Sequence, residues 1–205
     1  MQMGRLAKAS RHALVAVLVI AGAATRAATQ SHDDHSSARS ESHKPTPQEN
    51  ALVQAVREAT ARFRNVTSLN GPGEGYELTF GCVSGGDFGA MGLHYVNFSL
   101  VGDGEVRVDQ PEIVLFEPTL DGHIRISGAD YLVLAEDWEA KHPGQGPPQL
   151  MGQLFHLFDS PNRFGLKPFY TLHVWAWKDN PNGTFVNWNP DVSCDGFNAQ
   201  TQGAQ

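Results

Sequence analysis

From Tyr76 onward the chain loses its helical period, and that change constrains the fold more than any other feature. Short apolar or alternating runs follow one another, separated by turn residues. This is the spacing of half-buried strands joined by tight connections. Strands are expected near residues 76–83, 92–101, 112–117, 122–134, 153–159, 168–178 and 184–189. Leu120-Asp121-Gly122 marks one turn and Asp179-Asn180-Pro181-Asn182-Gly183 another. Residues 142–149, rich in Pro and Gly, read as the longest loop.

A different period precedes this region. Thr46-Pro47-Gln48-Glu49 has an N-cap residue, a proline at the first helical position and a glutamate that closes a capping box. Leu52, Val53, Val56, Ala59, Phe63 and Val66 then recur at steps of three and four. That predicts an amphipathic helix over 46–70, ended by Asn70-Gly71-Pro72-Gly73. One apolar stripe needs a partner surface. The expected architecture is therefore mainly β: a β-sandwich or small β-barrel of about seven strands over 71–198, with one N-terminal helix packed on it.

The ends of the chain read as accessory segments. Residues 1–28 have the three parts of a secretory signal. Arg5, Lys8 and Arg11 precede an apolar run at 13–21, and cleavage sites follow at Ala23 or Ala27. The apolar run is shorter than the roughly 20 residues of a bilayer span. Residues 29–45, rich in Ser and His, read as a flexible linker, and 199–205 as a disordered tail. The signal carries four basic residues and no acidic ones, so its removal takes the net charge from −7 to −11. Such a surface disfavours nucleic acid and anionic membranes as partners of the mature chain. It leaves small or neutral ligands open.

Cys82 and Cys194 are the only cysteines. In a secreted or periplasmic protein they are expected to form a disulfide. No C-x-x-C spacing makes them metal ligands.

Strand alternation assigns a face to each ionisable residue within a strand. His94 shares its face with Val96, Phe98 and Leu100, and Glu117 follows Ile113 and Leu115. His156 lies between Leu154 and Phe158, and His173 between Thr171 and Trp175. Buried imidazoles and carboxylates must be paired, hydrogen-bonded, neutralised or bound to a metal. Three imidazoles and one carboxylate from separate strands match the ligand set of a mononuclear Zn, Cu, Fe or Mn centre. His94, Glu117, His156 and His173 are thus the candidate ligands. Asp130, on a face with Ile124, Ile126 and Leu132, is an alternative carboxylate. Tyr95, Asp130 and Trp175 are candidate pocket residues. No H-x-H pair, H-E-x-x-H, nucleophile elbow or P-loop is present.

Four stretches resemble a group of small exported bacterial proteins. They are Ala90-Met91-Gly92-Leu93-His94-Tyr95-Val96-Asn97, Leu115-Phe116-Glu117-Pro118, residues 172–183 from Leu-His-Val-Trp-Ala-Trp to Asn-Pro-Asn-Gly, and Trp188-Asn189-Pro190-Asp191-Val192-Ser193-Cys194. The resemblance spans roughly residues 50–195. It implies a single exported domain and assigns no catalytic residue. The expected function is an exported metal-binding protein, an enzyme if one coordination position is open. The alternatives are a metal-free binding module for a neutral small ligand or sugar, and a structural envelope protein.

Overall fold

The computed structural model describes residues 44–198. The signal segment, all but the last two residues of the linker, and the tail lie outside the described residues. Helix α1 (Pro47–Thr60) begins with a full capping box. The Glu49 amide donates to the Thr46 hydroxyl oxygen at 3.2 Å, and the Thr46 amide donates to the Glu49 carboxylate at 2.6 Å. Leu52, Val56 and Thr60 form its buried stripe. The expected helix over 46–70 stops at Thr60. Its second half is two 3-10 turns, Ala61–Phe63 and Val66–Asn70. Asn65 starts the second turn by accepting from the Thr67 amide at 3.1 Å, a local bond that competes with helix continuation.

The rest of the chain is mainly β. Strands β1 (Glu77–Ser84) and β2 (Ala90–Val96) are followed by a short helix α2 (Phe98–Val101). β3 (Ile113–Pro118) and β4 (Ile124–Leu134) lead into helix α3 (Ala135–Lys141). The two-residue strands β5 (Gln149–Leu150) and β6 (Gln153–Leu154) form a separate hairpin. β7 (His156–Phe158) and β8 (Phe169–Val174) complete the main sheet. Its order is β1-β2-β3-β4-β8-β7, every pair antiparallel.

This sheet curls into a half-barrel. Register shifts between Leu78 and Cys82, at Val83/Ser84 and at Leu115/Phe116 accompany the curl; bulges of this kind bend the bulged strand and increase its twist. Gly92 sits in β2 with φ 90°, where a Cβ would lie 2.3 Å from the Phe116 carbonyl oxygen. Only glycine suits that site.

Two expected strands end differently. Residues 98–101 are helical because the Asn97 side chain accepts from the amides of Ser99 and Leu100. Residues 184–189 join no strand beyond one bridge between Asn189 and Ala90.

The sheet has two covered faces. Ala129, Tyr131, Val133, Tyr170 and Leu172 pack against Leu52 and Val56 of α1. Leu93, Val114 and Phe116, on the same side, pack against Phe63, Leu69 and Tyr76. On the opposite face Val96, Ile113, Leu115, Leu132 and Phe169 pack with Phe80, Phe158, Phe164 and Leu166. The expected Cys82–Cys194 disulfide is present, with an S–S distance of 2.04 Å. No helix among the described residues is long and apolar enough to cross a membrane.

Candidate functional site

The face away from α1 carries a polar patch inside an apolar wall. His94 is opposite Leu115, Ile113 is opposite Asp130, and Asp130 is opposite His173. Directly opposed residues project from the same face. Register and alternation therefore put His94, Asp130, Thr171 and His173 on one side of the sheet. Exposure is 2% for His94, 7% for Asp130 and 1% for His173.

Each polar group is only partly satisfied. The Thr171 hydroxyl donates to Asp130 Oδ1. Asp130 Oδ2 lies 3.9 Å from His173 Nδ1, too far for a hydrogen bond. Both ring nitrogens of His173 are buried with no hydrogen-bond partner. The Trp175 ring lies against His173 with centroids 4.7 Å apart. His94 Nδ1 is 3.0 Å from the Gly92 carbonyl oxygen. A carbonyl only accepts, so the proton sits on Nδ1 and the lone pair on Nε2, the tautomer of a metal-ligating imidazole.

Burial sets the charge states. It pushes the His94 pKa down to about 4. Burial, reinforced by the nearby His94, holds His173 well below the usual imidazole range. Both rings are therefore neutral at pH 7. Burial pushes Asp130 up to about 7, against the opposing hydrogen bond from Thr171.

A cavity of about 20 Å³ opens on this patch. His94, Asp130, Thr171, Ile113, Phe169 and Asn187 contribute to its wall. That space holds a water molecule but no sugar ring.

The remaining expected residues lie elsewhere. Both Glu117 oxygens accept from Lys178 Nζ, at 2.8 and 2.9 Å. Glu117 borders an open cleft with Pro118, Asp121, Arg125 and Asp191, so its charge is matched by a lysine outside the cavity. His156 is opposite Thr171 but sits on the edge strand β7, where its side chain is exposed. Tyr95 projects to the α1 side, where it meets Phe116 edge-on at 5.2 Å. Alternation places it opposite in direction to its neighbour His94. Among the described residues, no three His, Cys, Asp or Glu side chains converge closely enough to hold an ion in this arrangement.

Two polar residues of this region, Thr171 and Glu112, are not among the expected site residues. Thr171 shares a strand face with His173, and that spacing alone is a signal for it. Glu112 is fully buried. Its Oε2 accepts from the Leu132 amide at 3.0 Å, its Oε1 has no partner, and burial pushes its pKa up to about 8. Its position, one residue before the apolar run of β3, is the only local sign of burial. No family model, curated protein or solved structure matches this chain.

Proposed function

We propose that this is an exported metal-binding protein with a mononuclear site on the buried sheet face. Asp130 and His173 are its primary ligands and His94 is the third, across the cavity. Asp130 thus takes the carboxylate role expected of Glu117, and His156 has none.

The observation that carries this reading is the 3.9 Å separation of Asp130 Oδ2 and His173 Nδ1, with both nitrogens of His173 unpartnered. A buried polar group without a partner costs about 1–3 kcal/mol. Two ligands bound at about 2.0–2.1 Å to one tetrahedral ion lie roughly 3.4 Å apart. A shift of half an ångström therefore converts the pair into a chelate. Neutral imidazoles with a carboxylate suit Zn, Cu, Fe or Mn. The water-sized space that His94 and Asp130 line would leave a position open, as metal-assisted hydrolysis or oxygen chemistry requires. The same small volume argues against a sugar in this cavity. Export is supported by the disulfide, which persists in oxidising compartments.

The test is the metal content of protein purified without a histidine tag after supplementation with Zn, Cu, Fe and Mn salts. About one equivalent of one metal is expected, and less than about 0.2 equivalents of every metal defeats the reading.

A further inference from the structure

Residues 184–194 have no helix or strand of their own; Phe185 packs against the α1-side cluster, while Val192 meets Ala90 and Trp175 on the face that carries the polar patch. Asn187 forms part of the cavity wall. The Thr184 carbonyl accepts from the Trp175 amide at 2.9 Å, and the Val186 carbonyl accepts from Trp175 Nε1 at 2.6 Å. Trp175 is the residue whose ring packs, tilted, against His173. Further along, Asn189 and Ala90 exchange two backbone hydrogen bonds, at 3.1 and 3.2 Å. Val192 and Cys194 pack with Ala90 and Trp175, and Cys194 ends the segment in its bond to Cys82 on β1. The segment therefore runs from the His173 end of β8 to β2 and β1, tied at both ends. Among these ties the disulfide is the covalent one; the others are hydrogen bonds of the kind that open in local fluctuations.

We propose that the Cys82–Cys194 bridge is a thiol-sensitive latch: its reduction frees residues 184–194 and opens the Asp130–His173 site to solvent. The use of that opening for ion exchange rests on the metal-binding reading above; the opening itself does not. The reductant is an external dithiol. Its thiolate attacks the Cys82 sulfur, the less buried of the two, and Cys194 leaves as a thiolate. The second thiolate of the reductant then displaces Cys82. Two electrons pass to the protein sulfurs, the reductant closes into a cyclic disulfide, and its two protons end on the cysteines.

Exchange of the imidazole C2 hydrogen with deuterium, followed by mass spectrometry at one pH, reads solvent access to each histidine. It is measured on the oxidised chain, the dithiol-reduced chain and the Cys82→Ser/Cys194→Ser variant. Backbone amides of β4 report whether the sheet stays folded. Exchange at His173 is expected to rise at least about tenfold in both bridge-free forms while β4 stays protected. An unchanged His173 rate overturns the latch. So does simultaneous loss of β4 protection, since the bridge then holds the whole domain. Asn189→Ala with the bridge intact gives a second check, because it keeps the backbone bonds to Ala90 but removes the side-chain bonds to the Asp179 carbonyl and from the Asp191 amide: a smaller acceleration is expected, and one equal to that of the reduced chain shows that the bridge is not the latch. Release of Co²⁺ to a chelator, compared between the oxidised chain and the double-serine variant, separates the two ideas. Failure of both to bind Co²⁺ counts against the metal reading, while faster His173 exchange still supports the latch.

Discussion

The Thr171 hydroxyl donates to Asp130 Oδ1 across β8 and β4, which leaves Oδ2 as the carboxylate oxygen nearest His173 Nδ1. The hydrogen bond also opposes the burial that raises the Asp130 pKa. Thr171→Val keeps the shape and removes the donor. Metal affinity is expected to fall about tenfold, in the range of second-layer contacts to metal ligands. Competition against a chromophoric chelator measures it. An unchanged affinity means that Thr171 does not orient the carboxylate.

His173→Ala and His156→Ala separate the ligand set supported by the geometry from the one expected from the chain alone. Loss of bound metal is expected for His173→Ala and none for His156→Ala, because His156 is exposed on an edge strand. Metal content and circular dichroism, measured together, distinguish ligand loss from unfolding. Metal loss in the His156 variant alone would relocate the site to β7.

The pH dependence of stability follows from four buried groups with opposite signs. Glu112 and Asp130 have folded pKa values raised to about 8 and about 7. Between their unfolded values and these, the folded state binds more protons than the unfolded chain, so stability is lost as pH rises. His94 and His173 have lowered values, so their contribution is present above the unfolded imidazole pKa and lost as pH falls. The two effects oppose each other between about pH 4.5 and 6.5, and only the acids act above it. Metal-free protein is therefore expected to be most stable near pH 5–6.5 and to lose about 2 kcal/mol, roughly 5 °C in Tm, by about pH 8. Glu112→Gln should remove most of that alkaline loss. Thermal melts of both proteins across this range test it, and parallel profiles would refute the role of Glu112.

Gly92→Ala is expected to destabilise the fold by at least about 2 kcal/mol, since it combines positive φ with a clash. The new Cβ would meet the Phe116 carbonyl oxygen at 2.3 Å, and the strand would have to move. The same glycine carbonyl accepts from His94 Nδ1, so metal affinity should fall with stability. Urea unfolding and metal titration check both. A variant with wild-type stability would show that β2 tolerates another backbone path there.

Several features are readable in the chain because they depend on near neighbours. Period-two alternation puts His94 and His173 on strand faces, and Thr46 with Glu49 announces the helix start. Asp130 appears as an alternative carboxylate by the same argument. Face assignment fails at Phe98 and Leu100, where one asparagine side chain caps a helix and ends the strand. It passes over Glu112, because burial there comes from segments distant in the chain.

Alternation along a strand is local, so the sequence is enough to predict a mainly β chain and to orient most of its ionisable side chains. Strand order, register and edge position arise from pairings across tens of residues, and no local pattern encodes them. The fold alone makes Asp130 the neighbour of His173, gives Glu117 to Lys178 and leaves His156 on an open edge. The physical reason is that a side chain's direction follows from its own backbone, whereas the groups it meets are supplied by whichever strand hydrogen-bonds alongside.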